Sequence, residues 1–174
     1  MKPDSSPISE PGPDPRCLLT FQLDGSRYAL DVAAVERVVP MVRVTPLPEV
    51  PAIIIGVVNF QGKVLPVVDT RRRLGLPDRE VRLSDNLLIA KSGGRSLALV
   101  VDRVDEVVVL PAKQVQVTKE IVGSAVYVKG VAKLADGLIL IHDLETFLSL
   151  EEEAALEQAL EQERQTGGGG NVDR

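Results

Sequence analysis

Apolar and polar residues alternate in short runs along most of this chain, and the apolar positions are filled chiefly by Val, Leu and Ile. Such side chains suit a pleated, half-buried surface, so the pattern predicts strands. They fall near residues 17–23, 26–31, 35–41, 53–60 and 63–68, and again near 86–91, 95–101, 104–110, 126–134 and 138–142. Asp24-Gly25, Gln61-Gly62, Gly93-Gly94 and Asp136-Gly137 separate consecutive runs, and each supplies the positive φ that a tight turn between twisted strands requires. Pro46-Leu47-Pro48 and Pro51 part the third strand from the fourth; with φ fixed and no N–H to donate, they predict a rigid loop.

The same plan is used twice. Leu18 to Val38 matches Leu87 to Val107 without a gap: Gly25 answers to Gly94, Ala29 to Ala98, Val35 to Val104 and Val38 to Val107. Further on, Gly56 answers to Gly130 and Asp69 to Asp143, which marks a tandem duplication. Five short strands per copy are too few for a flat sheet with two buried faces, so the fold class is all-β, with two small five-stranded barrels packed together. The contiguous copies, approximately 17–78 and 79–148, are the expected barrels, with Arg79 to Asp85 bridging them.

Helix is confined to short pieces and the C-terminal part of the chain. Asp69 is placed to cap a turn through Arg71 to Leu74 that Gly75 stops, and Asp143 to cap Leu144 to Leu148. Ser149 and Glu152 form a capping-box pattern opening a helix to about Arg164, with Leu156, Ala159 and Leu160 as its apolar stripe. Domain organisation then reads as a disordered tail over 1–16, a folded domain over 17–150, and a helix with a flexible glycine-rich tail over 151–174.

Composition narrows the function. With 20 Lys and Arg against 25 Asp and Glu, and no basic block longer than Arg71-Arg72-Arg73, the chain has no footprint for a phosphate backbone, so no nucleic acid partner is expected. No apolar run reaches the length that crosses a bilayer, and the proline-rich start lacks the apolar stretch of a secretion signal, which predicts a cytoplasmic protein without direct membrane insertion. A single cysteine, Cys17, and a single histidine, His142, leave no internal disulfide, no zinc site and no oriented nucleophile and base. Phosphate-binding glycine loops are absent. The expectation is a non-enzymatic protein with no cofactor and no metal.

One stretch carries a more specific signal. Gly56-Val57-Val58-Asn59-Phe60-Gln61-Gly62-Lys63-Val64-Leu65-Pro66-Val67-Val68-Asp69-Thr70-Arg71 resembles the CheW family of chemotaxis coupling proteins. The opening strand with Tyr28-Ala29-Leu30-Asp31-Val32, the Leu47-Pro48 loop, Val100-Val101-Asp102-Arg103-Val104 and the closing Leu138 to Leu144 are similar to that family as well, so the likeness spans roughly 17–150. It implies two SH3-like barrels without activity of their own, bridging a methyl-accepting chemotaxis receptor to the regulatory domain of a CheA-type histidine kinase, at receptor arrays on the inner face of the membrane. It also implies receptor-binding roles for Val35, Gly56, Asn59, Gln61 and Gly62, and kinase-binding roles for Val38, Val42 and Val44.

Two departures stand out. The family usually has Arg where this chain has Gln61, and Glu where it has Arg37; if those positions pair in the family, both charges of the pair have gone together here, which implies altered partner choice. Read without the resemblance, Val35, Val38 and Val64 are ordinary alternating barrel residues, Gly56 and Gly62 serve backbone geometry, and Pro66 marks an edge strand. Two other functions remain open: a ligand-binding or enzymatic barrel using the cleft between the halves, which would need convergent polar groups there, and a detached kinase regulatory domain.

Overall fold

The computed structural model describes residues 15–116 and 128–167. In chain order it contains β1 (Arg16–Leu23), β2 (Ser26–Asp31), β3 (Val35–Pro40), β4 (Ile54–Phe60), β5 (Lys63–Asp69), α1 (Thr70–Arg73), β6 (Asn86–Ser92), β7 (Arg95–Val101), β8 (Arg103–Leu110), β9 (Val115–Gln116), β10 (Val128–Leu134), β11 (Gly137–His142) and α2 (Leu150–Gly167). The strands predicted from alternation are present, and the short β9 is an addition. Most of the expected N-terminal tail, the first residues of the run near 126–134 and the last glycines of 167–170 lie outside the described residues. The turns have the expected chemistry: Asp24 and Gly25 sit at φ 51 and 77, Gln61 and Gly62 at 51 and 80, and Gly93 and Gly94 at 53 and 83. Asp69 accepts from Arg72 N–H, and Asp143 from Glu145 N–H, so both predicted caps form.

Topology corrects the expected division of the chain. The two sheets run β8-β1-β2-β11-β10-β9 and β3-β6-β7-β5-β4, so each takes strands from both copies. One barrel is the continuous stretch from β3 to β7, and the other is built from β1, β2 and everything from β8 to β11; the boundary expected near 78 cuts through the inner one. The cause is local. After β2 the chain makes a single 3₁₀ turn, Val32–Ala34, closed by Val35 N–H on the Val32 carbonyl, which carries β3 away to pair with β6. In the second copy Asp102 alone separates β7 from β8, and β8 crosses to pair with β1. The exchange is reciprocal, so each barrel regains the equivalent of what it gives up. The junctions are the parallel pairs β2 with β11 and β5 with β7. Arg79 to Asp85 accordingly links α1 to β6 within the inner barrel and does not bridge two halves.

Each barrel closes where its edge strand runs on past a bend. Beyond β3, Thr45 exchanges two hydrogen bonds with Val57 on β4, at 2.9 and 2.8 Å. Beyond β8, the 3₁₀ turn Ala112–Gln114 leads into β9, which pairs with Val131 and Ala132 on β10. Both closures need a glycine opposite: a Cβ on Gly56 would lie 2.2 Å from the Thr45 carbonyl oxygen, and one on Gly130 3.0 Å from that of Gln116. Pro66 lies on β5, between β4 and β7, and so not at a sheet edge; pairing with β7 begins only at Val67, so the missing N–H falls outside that ladder.

Three apolar clusters follow from this layout. Met41, Val58, Leu65, Val67, Ile89 and Ala98 belong to the cluster that fills the inner barrel, and Leu18, Ala29, Leu110, Ala132, Ile139 and Ile141 fill the outer one. The largest lies between the barrels and joins Phe21, Leu30, Ile54, Val68, Leu88 and Leu99. Strands β6 and β7 meet apolar neighbours on both faces, which explains their uninterrupted buried runs Leu87 to Ala90 and Leu97 to Val101. Helix α2 seals this seam with Leu156 and Leu160; its N-terminus carries the predicted capping box, Ser149 N–H to Glu152 and Glu152 N–H to the Ser149 hydroxyl. Arg73 on α1 reaches Glu152 at 2.5 Å, and Arg95 on β7 pairs with Glu157.

Candidate functional site

A charged clasp ties the barrels beside their apolar seam. Arg71, with 9% of its side chain exposed, reaches Asp102 at 2.5 Å and Asp24 at 3.4 Å; Arg79 reaches Asp85 at 2.8 Å and Asp102 at 2.7 Å. Burial pushes the Asp102 carboxyl up, but the Asp24 N–H and the Arg79 and Arg71 guanidiniums outweigh it and hold the group below its usual value. This network pins the β1–β2 turn of the outer barrel to α1 and the 79–85 link of the inner one, so the two barrels form a single rigid support.

Beside the seam an open groove of about 490 Å³ forms where the Val32–Ala34 turn, the β6–β7 turn and the end of β11 come together. Leu30, Ala33, Ala34 and Leu144 supply its apolar wall, and Lys91 and Lys129 stand along it. Burial raises the Asp31 carboxyl, yet hydrogen bonds from Arg16 and Lys129 bring it below its usual value, so this edge stays ionised. Val35 follows that turn directly and is half-buried against the central cluster.

The remaining residues expected on the receptor side divide. Asn59, Gln61 and Gly62 are exposed at the tip of the β4–β5 hairpin, where Gly62 N–H donates to Asn59 Oδ1 at 3.0 Å. Gly56 is buried in the barrel wall, and the close approach of Thr45 accounts for its identity. Arg37 connects the two regions. Strands β3 and β4 are not hydrogen-bonded neighbours, but the Arg37 guanidinium lies 5.7 Å from the centre of the Phe60 ring, which brings the β3 edge to the hairpin tip. Arg37 thus lies on the ring of the residue that precedes Gln61, a contact with Phe60 that sequence spacing does not reveal.

The residues expected on the kinase side lie on β3 and its continuation in the inner barrel. Val38 is 38% exposed and Val42 47%, whereas Val44 is half-buried against the inner core. The duplication repeats this exposure: Val107, the counterpart of Val38, is 54% exposed, and Leu138, the counterpart of Val64, is 65% exposed against 56% for Val64. Isolated exposed valines need no explanation, but the duplication leaves corresponding apolar positions open on both barrels.

His142 is buried with its ring 5.2 Å from that of Tyr28, and the Ser92 hydroxyl donates to the Leu144 carbonyl. Among the described residues no group of three or more His, Cys, Asp or Glu could hold a metal ion, and no helix is long and apolar enough to cross a membrane.

Comparison with known proteins accords with this architecture. Residues 18–152 match the model of the CheW-like domain. The chemotaxis protein CheW of Rhizobium meliloti (strain 1021) is 29% identical over 143 residues, covering 80% of this chain and 92% of that protein. Its namesake in Bacillus subtilis (strain 168) is 27% identical over 136 residues, covering 77% and 87%. The crystal structure of the scaffolding protein TtCheW from Thermoanaerobacter tengcongensis superposes with a TM-score of 0.74 at 29% identity, covering 79% of this chain and 95% of that one. With most of its length matched by the family model and its double barrel shared with a solved member, this chain belongs to the CheW-like family.

Proposed function

We propose that the chain is a non-enzymatic adaptor that couples methyl-accepting chemoreceptors to a CheA-type histidine kinase in a chemosensory complex. The observation that carries this reading is a pair of barrels locked by one core and one charged clasp, with a β3 edge exposed at Val38 and Val42 and a separate open groove beside the Val32–Ala34 turn. An adaptor needs separate faces in fixed relation, and this body supplies them. The receptor helix is assigned to the groove beside Val35 and the exposed hairpin tip of Asn59, Gln61 and Gly62, in the helix-in-groove manner. The kinase regulatory domain, itself CheW-like, is assigned to the β3 surface with Val38 and Val42.

The ligand-binding or enzymatic alternative would use the cleft between the barrels, and that space is filled by the central apolar cluster with Leu156 and Leu160 of α2. The test is calorimetric titration of a purified kinase regulatory domain into the native chain and into V38D. Loss of binding in V38D with an unchanged unfolding transition supports the assignment. Equal binding by both removes β3 as the kinase face.

A further inference from the structure

A β-bulge interrupts the pairing of β3 with β6. Val35 pairs with Ala90 and Arg37 with Ile89, so Glu36 is the extra residue, and the strand is re-aimed at this point. Glu36 is engaged elsewhere: the Ser96 hydroxyl donates to it at 3.0 and 3.2 Å, and Lys91 Nζ lies 3.8 Å away. The Arg37 guanidinium rests over the Phe60 ring and makes no ion pair with any described residue. The ring attracts the cation electrostatically but satisfies none of its in-plane donors. A planar guanidinium held on a ring with its edge free is built to take a carboxylate through two parallel hydrogen bonds.

The surroundings point the same way. Gln61, exposed at the hairpin tip, puts a neutral amide next to Phe60 in sequence, and Lys63 follows. Beyond the hairpin, a groove of about 450 Å³ runs beside α2, with Val64, Pro66 and Leu160 as apolar lining and Lys63 and Arg164 as cations. On a chain of formal net charge −5, the hairpin is thus flanked by positive charge and apolar surface. The partner that complements it is a helix with apolar residues along one face and a carboxylate beside them.

We propose that Arg37, seated on Phe60, binds a carboxylate of the receptor helix docked along the β4–β5 hairpin, and so selects receptors that carry an acid at that place. This rests on the receptor-coupling reading above. Its form is a cation delivered from β3 to the Phe60 ring, next to the neutral amide of Gln61 and on the same hairpin as the Lys63 ammonium.

The test titrates the cytoplasmic hairpin of a methyl-accepting receptor encoded in the same genome into the full chain, at low and high salt, with R37K, R37E and F60L alongside. The native chain binds, and more weakly as salt rises. R37E weakens binding by about tenfold or more and flattens the salt dependence, while R37K and F60L fall between, because each keeps the charge but loses the stacked plane. An acid-to-lysine change in the receptor hairpin restores binding to R37E, which a merely structural role would not produce. If the native chain binds and R37E matches it within twofold, the proposal fails and the coupling reading stands. If the native chain binds no receptor hairpin, both fail.

Discussion

Replacing Gly56 by Ala tests how the inner barrel is closed. The added Cβ would stand 2.2 Å from the Thr45 carbonyl oxygen, 2.8 Å from its carbon and 2.9 Å from Val44 Cγ1. The obstruction is backbone, so the strand segment must move away from β4. That movement breaks the two hydrogen bonds between Thr45 and Val57, at 2.9 and 2.8 Å, each worth about 1 kcal/mol net. Overpacking adds about 1–3 kcal/mol, for a total loss of about 3–5 kcal/mol. Gly130→Ala meets the Gln116 carbonyl oxygen only at 3.0 Å and should cost less, about 1–2 kcal/mol. Gly25→Ala, with open space around it and φ 77, should cost about 1 kcal/mol through the left-handed backbone alone. Urea unfolding followed by circular dichroism measures all three. A Gly56→Ala protein within 1 kcal/mol of the native one, or no less stable than Gly25→Ala, refutes the closure argument. If the account holds, any loss of receptor binding in Gly56→Ala follows the unfolded fraction.

Removing Leu156, fully buried where α2 meets the central cluster, should destabilise by about 2–5 kcal/mol as Leu156→Ala, and hydrogen exchange should then rise in α2 ahead of the barrels. Asp31, Asp102 and Glu152 are all held below their usual values, because hydrogen bonds and guanidinium or ammonium partners outweigh the effect of burial. A depressed carboxyl contributes stability above its unfolded pKa and loses it as the pH falls through the folded one. Denaturation midpoints should therefore hold at neutral pH and drop in the acid range below about pH 4.5, with a shallower drop in Asp102→Asn; a midpoint independent of pH there contradicts the clasp.

Much of the architecture was legible because it is written locally. Alternating Val, Leu and Ile marked the strands, Asp24-Gly25 and Gly93-Gly94 the hairpins, and Ser149 with Glu152 the start of α2. The exchange of strands was not legible. A single 3₁₀ turn at Val32–Ala34 decides whether β3 returns along β2 or crosses to β6, and reciprocal exchange leaves the period of the sequence unchanged. The match of Gly56 with Gly130 was visible, but its reason, a carbonyl from the closing segment, appears only in three dimensions. The candidate site was legible by resemblance as separate residues. Folding places Val35 beside a groove, buries Gly56, and joins Arg37 to Phe60 across 23 positions of sequence.

The central claim is that one rigid body holds two partners at once. Sedimentation velocity on an equimolar mixture of the chain, a receptor cytoplasmic hairpin and a kinase regulatory domain tests it most directly. A ternary species containing one copy of this chain, absent when the chain is left out, is the expected result. Competition between receptor and kinase for the chain, with only binary species at any ratio, would contradict the account.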